Sequence, residues 1–246
     1  MMPGLTVHHL QVGQGERIPW LLEELGVPYE LKLYQRSPLF SPPELKTQHP
    51  MGASPVIEDA TFNPENPLVL AESGAIAEYI IHKHGNGRLA LTPSHPDYAN
   101  YLYWFHFANG NLQPTIGRRM TARFMAQSLE DPRFISTDQR LHTALKLLDD
   151  QTAKNTWLAG DQFTAADVMS VFCLTTMRKF EPIDLSDYPG ILEWLKRCTA
   201  RPAYRAAMKK GDPDLNVEEL ISAKPPALFE GFVKAAEQAK IAEQVK

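Results

Sequence analysis

The sequence has few cysteines and no long apolar run. Only two cysteines, Cys173 and Cys198, occur among 246 residues. Both lie in helix-like sequence, so no disulfide framework is expected, and two buried free thiols in a cytoplasmic protein are predicted. Apolar runs stay below the roughly 18 residues that a membrane-spanning helix needs. No apolar segment follows a basic start, so a signal peptide is not expected either.

Positive charge is not in excess. Lys and Arg number 25 against 29 Asp and Glu, a net charge of −4, which gives no electrostatic case for binding nucleic acid or an anionic membrane. A metal site is not expected, because the adjacent His8 and His9 would point to opposite faces of a strand. No internal repeat is present. The composition, 43% hydrophobic and 22% charged, is that of a globular protein with one large domain or two ordinary ones.

The first 85 residues mix strand-like and helix-like patterns. LTVHHL (5–10) and YELKLY (29–34) alternate as strands do, and residues 17–25 between them have helical spacing with Gly26 as a stop signal. This order predicts a right-handed βαβ unit. After an irregular or helical stretch, SPVIED (54–59) and PLVLAES (67–73) predict two more strands, and GAIAEYIIHKHG (74–85) predicts a helix.

Beyond residue 85 the patterns are helical. Residues 86–97 hold Gly, Pro and Asn and are predicted to be a linker. Residues 98–246 carry several helical apolar stripes, and a tail from Pro226 is either a terminal helix or frayed. One stripe, predicted to be core, contains Tyr101, Trp104, Phe105 and Ala108. The sequence therefore predicts a small α/β domain, residues 1–85, followed by an all-helical one.

Three passages occur in an order that points to a family. HPMGASPVIED (49–59), LAESGAIAEYI (70–80) and WLAGDQFTAADVMS (157–170) together resemble the cytosolic glutathione transferases, particularly a fungal and bacterial branch. The resemblance runs from about residue 5 to about residue 210. It implies a thioredoxin-like N-terminal domain, an all-α C-terminal domain and a homodimer. It also implies transfer of glutathione to an apolar electrophile, or reduction of a peroxide.

The resemblance implies specific glutathione contacts. Glu72 and Ser73 open a helix and would hold the γ-glutamyl end, where a helix start favours a carboxylate. Without a ligand the same pair would be an ordinary helix cap. Ser54 precedes Pro55, which is expected to be cis, so that the Ser54 backbone pairs with the cysteinyl part of glutathione like an added strand.

One position departs from the family pattern. Ala53 stands where close relatives commonly show Lys, a residue suited to the glycyl carboxylate of glutathione. Lys46, His49 or Arg36 are the alternatives for that role, and the first two are nearer in sequence. Each could equally be a solvated surface residue.

The loop after the first strand is where the family activates the glutathione sulfur. Gly13 and Gly15 stand where hydroxyl residues often occur, and His9 falls where some members have a Tyr. We therefore expect a backbone N–H between Gly13 and Glu16 to activate the sulfur, with the side chains of Gln14 and Arg17 as second choices. The lack of a hydroxyl leaves a non-catalytic glutathione-binding protein as the main alternative, and a plain turn is the simplest interpretation of the two glycines alone.

Two further groups of residues receive different predictions. Tyr103, Phe107 and Asn111 share one side of a predicted helix and are candidates for the electrophile pocket. Thr164 and Asp167 form a capping-box pattern, and we predict a structural role at a helix start. A protein-interaction module is the third functional class, and the glutathione contacts above argue against it.

Overall fold

The first domain is built on a four-stranded sheet. The computed structural model describes residues 4–126, 128–232 and 234–235. The elements of the first domain are β1 (Leu5–Leu10), α1 (Arg17–Leu25), β2 (Glu30–Tyr34), α2 (Pro43–Gln48), β3 (Val56–Asp59), β4 (Leu68–Ala71) and α3 (Ser73–Lys83). The strand order is β2-β1-β3-β4, with β1 parallel to β2 and antiparallel to β3. The predicted mixed sheet and its βαβ start are confirmed.

The first helix follows the sequence pattern closely. Ile18, Leu21, Leu22 and Leu25 recur at helical spacing and are at most 3% exposed, so one face packs into the core. Gly26 ends α1 with a φ of +64°, a left-handed conformation that glycine adopts without a Cβ penalty. At its N-terminal end, α1 begins directly after the loop that contains Gly13 and Gly15.

The second domain is helical in the described residues. Its helices are α4 (Tyr98–Phe107), α5 (Gln113–Met125), α6 (Pro132–Lys154), α7 (Ala165–Leu174), α8 (Pro189–Thr199), α9 (Pro202–Gly211) and α10 (Val217–Leu220). A π-helical turn, Ala108–Leu112, joins α4 to α5. The stripe that includes Tyr101 and Trp104 is buried, as predicted. Of the tail, residues 233 and 236–246 lie outside the described residues.

Helix α7 begins with the predicted capping box. Thr164 accepts a hydrogen bond from the backbone of the first turn, and Asp167 accepts one from the Thr164 N–H. Asp167 also accepts hydrogen bonds from Leu158 N and from Trp194 Nε1 in α8. Burial raises the pKa of Asp167 to about 6. The structural interpretation of this pair is confirmed.

The two domains meet along α1. Trp20 packs edge-on against Tyr204 of α9, with ring centroids 4.9 Å apart. At the edge of this contact Arg201 makes a bidentate ion pair with Glu24. No helix within the described ranges is both long and apolar enough to cross a bilayer.

Candidate functional site

A cleft of about 410 Å³ lies between the first domain and α5. The first domain contributes Gln14, Met51, Ala53, Ser54, Pro55, Ala71, Glu72 and Ser73 to its lining. The second domain contributes Asn109, Gln113, Pro114, Gly117 and Met177. Four of the sequence-predicted glutathione contacts are thus brought into one cleft, together with Gln14 of the predicted activating loop, residues 11–16.

Ser54 lines the cleft, and its side chain is bonded to β1. Its peptide bond to Pro55 is cis, as expected. The Ser54 hydroxyl accepts from Leu10 N at 2.9 Å and donates to His8 O at 3.3 Å, so this side chain is bonded to β1. Only the backbone of Ser54 remains for a ligand, which suits strand-like pairing with an extended peptide.

Glu72 and Ser73 form the start of α3. Glu72 has a φ of +71° and an exposed side chain, so its carboxylate is available to a cation in the cleft. Ser73 Oγ accepts from Asn109 Nδ2 at 3.0 Å and from Arg17 Nη1 at 3.4 Å. A hydroxyl with both lone pairs occupied keeps its own proton to donate. Together with the helix dipole, this makes Ser73 a donor for a carboxylate.

Arg17 lies beneath the cleft rather than in its lining. The side chain is fully buried, and Nη1 donates to Gln14 Oε1, Ser73 Oγ and Asn109 Oδ1. Its guanidinium also stacks over the Phe172 ring at 5.0 Å. Burial lowers the pKa of Arg17. The predicted side-chain donor is therefore held under the site, where its charge favours an anion above it.

Gln14 connects the activating loop to the opposite wall. Its Oε1 accepts from Arg17 Nη1 at 3.2 Å and from Gln113 Nε2 at 3.0 Å, which leaves the Gln14 amide nitrogen as a donor. In the backbone, Glu16 N–H already donates to Gly13 O, and Arg17 N–H donates within the turn Gln14–Glu16. The remaining candidates among the loop's backbone donors are the N–H groups of Gly13, Gln14 and Gly15.

Gly15 allows the loop to lie close to two side chains. A Cβ at this position would be 2.5 Å from His9 Nδ1 and 2.6 Å from Ser54 Oγ. The glycine is thus required by packing, which gives it a physical role beside the one expected from the sequence. His9, at the position of a catalytic Tyr in some members, is buried and bonded through Nε2 to Asp212.

The candidates for the glycyl carboxylate separate in space. Lys46 is exposed and lies across Gly52, where a Cβ would be 2.6 Å from Lys46 Cγ, so it borders the loop that carries Ala53. His49 accepts a weak hydrogen bond from Met51 N at 3.4 Å.

Arg36 is already engaged, because it donates to Val12 O and Leu39 O and stacks on Phe180. Of the three, Lys46 is the best placed.

The predicted electrophile residues do not line this cleft. Tyr103, Phe107 and Asn111 border a different hollow on the outer side of the helix. Successive helical positions turn by about 100°, so residues two positions away lie on nearly the opposite side. The cleft face is that of Asn109, Gln113 and Gly117, spaced four residues apart. This spacing was visible in the sequence, but nothing in it favoured this face over the aromatic one.

Two family models match the chain. The family model described as glutathione S-transferase, N-terminal domain, matches residues 4–82, and the one described as glutathione S-transferase, C-terminal domain, matches residues 134–202. The chain is 31% identical to glutathione S-transferase 3 of Schizosaccharomyces pombe over 223 residues, which cover 84% of this chain and 87% of the relative.

Two further glutathione S-transferases are similar to the chain over most of its length. Glutathione S-transferase 1 of Saccharomyces cerevisiae is 29% identical, with 85% of this chain and 96% of the relative covered. A crystal structure of a glutathione S-transferase from Actinobacillus pleuropneumoniae has a TM-score of 0.76 and 29% identity, covering 87% of this chain and 95% of that one. The sheet order, the cleft and these matches together show that the chain belongs to the glutathione S-transferase family.

Proposed function

We propose that this glutathione transferase binds glutathione along the cleft of Ser54, Glu72 and Ser73. The γ-glutamyl carboxylate accepts from the Ser73 hydroxyl and the first N–H groups of α3, and the α-ammonium faces Glu72. The cysteinyl backbone pairs with Ser54, and the glycyl carboxylate lies towards Lys46, with His49 as the alternative. The observation that carries this proposal is the Ser73 hydroxyl, which accepts two hydrogen bonds and so has its proton free for the cleft.

The sulfur of glutathione would then lie beside the loop that contains Gly13, Gln14 and Gly15. Loop N–H groups and the Gln14 amide nitrogen are its donors, and the buried Arg17 charge adds to their effect. A free thiol has a pKa of about 8.5, and each unit of lowering needs about 1.36 kcal/mol. One hydrogen bond to a charged group contributes about 1.5–3 kcal/mol, enough for one to two units.

The electrophile would bind against α5. A groove of about 630 Å³ shares Pro114 and Gly117 with the glutathione cleft and is otherwise lined mainly by the next turns of α5. Met120 and Met125 line it, and methionine side chains adapt to apolar ligands of different shape. A ligand in this groove could reach the sulfur at the shared wall, so we propose an apolar electrophile here in place of the hollow at Tyr103.

Two measurements test the proposal in order. Calorimetric titration with glutathione measures binding, and an assay with a generic chloro-aromatic electrophile then measures transfer. Binding with transfer supports the proposal. Binding without transfer favours a non-catalytic glutathione-binding protein, which the lack of a hydroxyl, from Gln11 to Glu16, makes the second candidate. Absence of binding would contradict both.

A homodimer is the proposed assembly. Tyr103 is 50% exposed, and Leu68 and Val69 on the edge strand β4 are 40% and 46% exposed, so both domains present apolar surface. We propose that a second copy covers part of it around a two-fold axis.

Cys173 and Cys198 are buried free thiols, as a reducing compartment favours, and a detoxifying role in the cytoplasm is proposed.

A further inference from the structure

Two hydrogen bonds connect the activating loop to the second domain. Val12 N donates to Asp212 Oδ1 at 2.6 Å, and Gln11 Nε2 donates to Gly211 O at 2.8 Å. Asp212 follows directly after α9 and is 3% exposed. The two contacts tie consecutive residues of the loop to the end of one helix, 200 residues away in the chain.

Asp212 also holds the imidazole ring of His9, against which Gly15 of the loop packs. Its Oδ2 accepts from His9 Nε2 at 2.7 Å, and both side chains are at most 1% exposed. Gly15 and Gly211 approach the ring closely, since Cβ atoms there would be 2.5 Å from Nδ1 and 3.2 Å from Cδ2. The backbone position of Gly15 therefore depends on the position of His9, which Asp212 sets.

Val12 needs such external support. Its φ is +53°, an unfavourable region for a β-branched residue, which persists only where the surroundings impose it. The Asp212 carboxylate holds the Val12 N–H, and Arg36 donates to the Val12 carbonyl from the other side. The next residue is Gly13, the first candidate donor to the sulfur.

We propose that Asp212 is a positioning residue for the glutathione thiolate: it holds the loop at Val12 and His9 so that the N–H groups of Gly13–Gly15 point at the sulfur. This inference rests on the proposed function above. Asp212 does not line the cleft and acts only through the loop. The negative charge of Asp212 would oppose a nearby thiolate, so its benefit lies in the two hydrogen bonds.

Asp212→Ala removes both acceptors. In the folded dimer or monomer, thiolate absorbance of bound glutathione is measured against pH. We expect the pKa of the bound thiol to rise by at least one unit toward the free value of about 8.5. At a pH below the bound-thiol pKa of both the wild type and the variant, kcat with the chloro-aromatic should fall about tenfold. KM for glutathione should change less than threefold, because the contacts at Ser54 and Ser73 remain.

Asp212→Asn separates position from charge. The amide oxygen can accept from Val12 N while the amide nitrogen donates to His9 Nε2, since His9 Nδ1 has no described partner and can carry the ring proton. We expect a bound-thiol pKa near that of the wild type. A rise as large as in Asp212→Ala would overturn the positioning role.

Asp149→Ala is the matched control. Asp149 is 9% exposed, and its Oδ1 accepts from Ile191 N at 3.0 Å, between α6 and α8. It should lower stability without moving the thiol pKa. If Asp212→Ala does not fold, Gln11→Ala cuts the adjacent link, and we expect a smaller rise in the thiol pKa; no rise there would contradict the inference.

The wild-type measurement distinguishes the two levels of proposal. A lowered thiol pKa in the wild type that is unchanged in folded Asp212→Ala would overturn the positioning role alone. A wild-type thiol that binds but titrates near the free value would overturn thiol activation and the positioning role together. Absence of glutathione binding to the wild type would overturn the proposed function itself.

Discussion

Gln14 Oε1 accepts a hydrogen bond from Gln113 Nε2 at 3.0 Å, so the activating loop of the first domain is joined directly to α5 across the cleft. The bond holds a loop residue against the helix that forms the opposite wall. It also occupies the Gln14 amide oxygen, while the Gln14 amide nitrogen has no described hydrogen-bond partner and can donate to a ligand.

Replacing Gln14 tests which donor activates the sulfur. If backbone N–H groups dominate, Gln14→Leu should raise the pKa of the bound thiol by less than one unit, which corresponds to about 1.36 kcal/mol. Gln113→Leu breaks the same inter-domain bond without removing a loop donor and serves as the control. A rise exceeding the control by more than one unit, measured by thiolate absorbance, would identify the side chain as the main donor.

Ser73→Ala should weaken glutathione binding more than folding. The lost hydrogen bond to a carboxylate is worth about 1.5–3 kcal/mol, which corresponds to a tenfold or greater rise in Kd. Ser170→Ala is the control, because Ser170 is buried in α7 and its hydroxyl has no described partner. Calorimetry should show wild-type affinity in the control, and unchanged affinity in Ser73→Ala would refute the site assignment.

Gly15→Ala should displace the activating loop. The added methyl group would lie 2.5 Å from His9 Nδ1 and 2.6 Å from Ser54 Oγ, well inside van der Waals contact. Overpacking of this kind typically costs about 1–3 kcal/mol. We expect a lower urea midpoint and a bound-thiol pKa closer to the free value. Gly110→Ala, where no atom lies within 4 Å of the new Cβ, should leave both nearly unchanged. Equal effects of the two variants would argue against close packing at Gly15.

Glu16 should make stability depend on pH. Burial, and next the charge of Asp212, raise the pKa of Glu16 to about 8 from an ordinary value of 4.5. Between these values the folded state binds the proton more tightly than the unfolded state, so this contribution to stability is complete below pH 4.5 and is lost as pH rises toward 8. Its hydrogen bond from Thr176 Oγ1 is compatible with an amide oxygen.

Glu16→Gln provides the measurement. The neutral side chain keeps an acceptor for Thr176 and removes the titration, so the stability of the variant relative to the wild type should increase from pH 5 to pH 8. Urea unfolding at several pH values measures this difference. A constant difference across the range would mean that Glu16 titrates near its ordinary pKa in the folded state.

The proposed dimer predicts a specific dependence on surface residues. Sedimentation at micromolar concentration should give twice the chain mass for the wild type. Val69→Asp puts a charge on the exposed edge strand, and we expect it to shift the protein toward monomer, since burying an unpaired charge is costly. Lys146→Asp, at an exposed position of α6, is the control. A wild-type monomer at this concentration would contradict the assembly.

The sequence predicted the parts of the fold that depend on local pattern. The alternation in LTVHHL, the apolar spacing of α1 and the stop at Gly26 are local signals, and each element formed where it was expected. The capping box at Thr164 is equally local. The cleft contacts at Ser54 and Ser73 came from ordered motifs, and the structure brings both residues to one cleft.

The features of the site that the sequence did not predict depend on contacts between segments that are distant in the chain. His9 and Asp212 are 203 positions apart, and no pattern in either segment indicates their pairing. Arg17 was expected as a donor in the loop, but the packing of α1 against Phe172 and Cys173 buries it. The aromatic residues of α4 suggested a pocket on their side of the helix, but the residues that line the cleft are the polar Asn109 and Gln113 on the other side.

The π-helical turn Ala108–Leu112 has a consequence for how this site can diverge. A π turn holds about one residue more than the α-helical turn it replaces, and such turns occur frequently at functional sites. Deleting one residue there would shorten the turn to an α-helical one and change which residue stands at the position of Asn109, bonded to Ser73 and Arg17. The side chain that faces Ser73 and Arg17 is therefore set by the length of this turn as well as by the residue type at position 109.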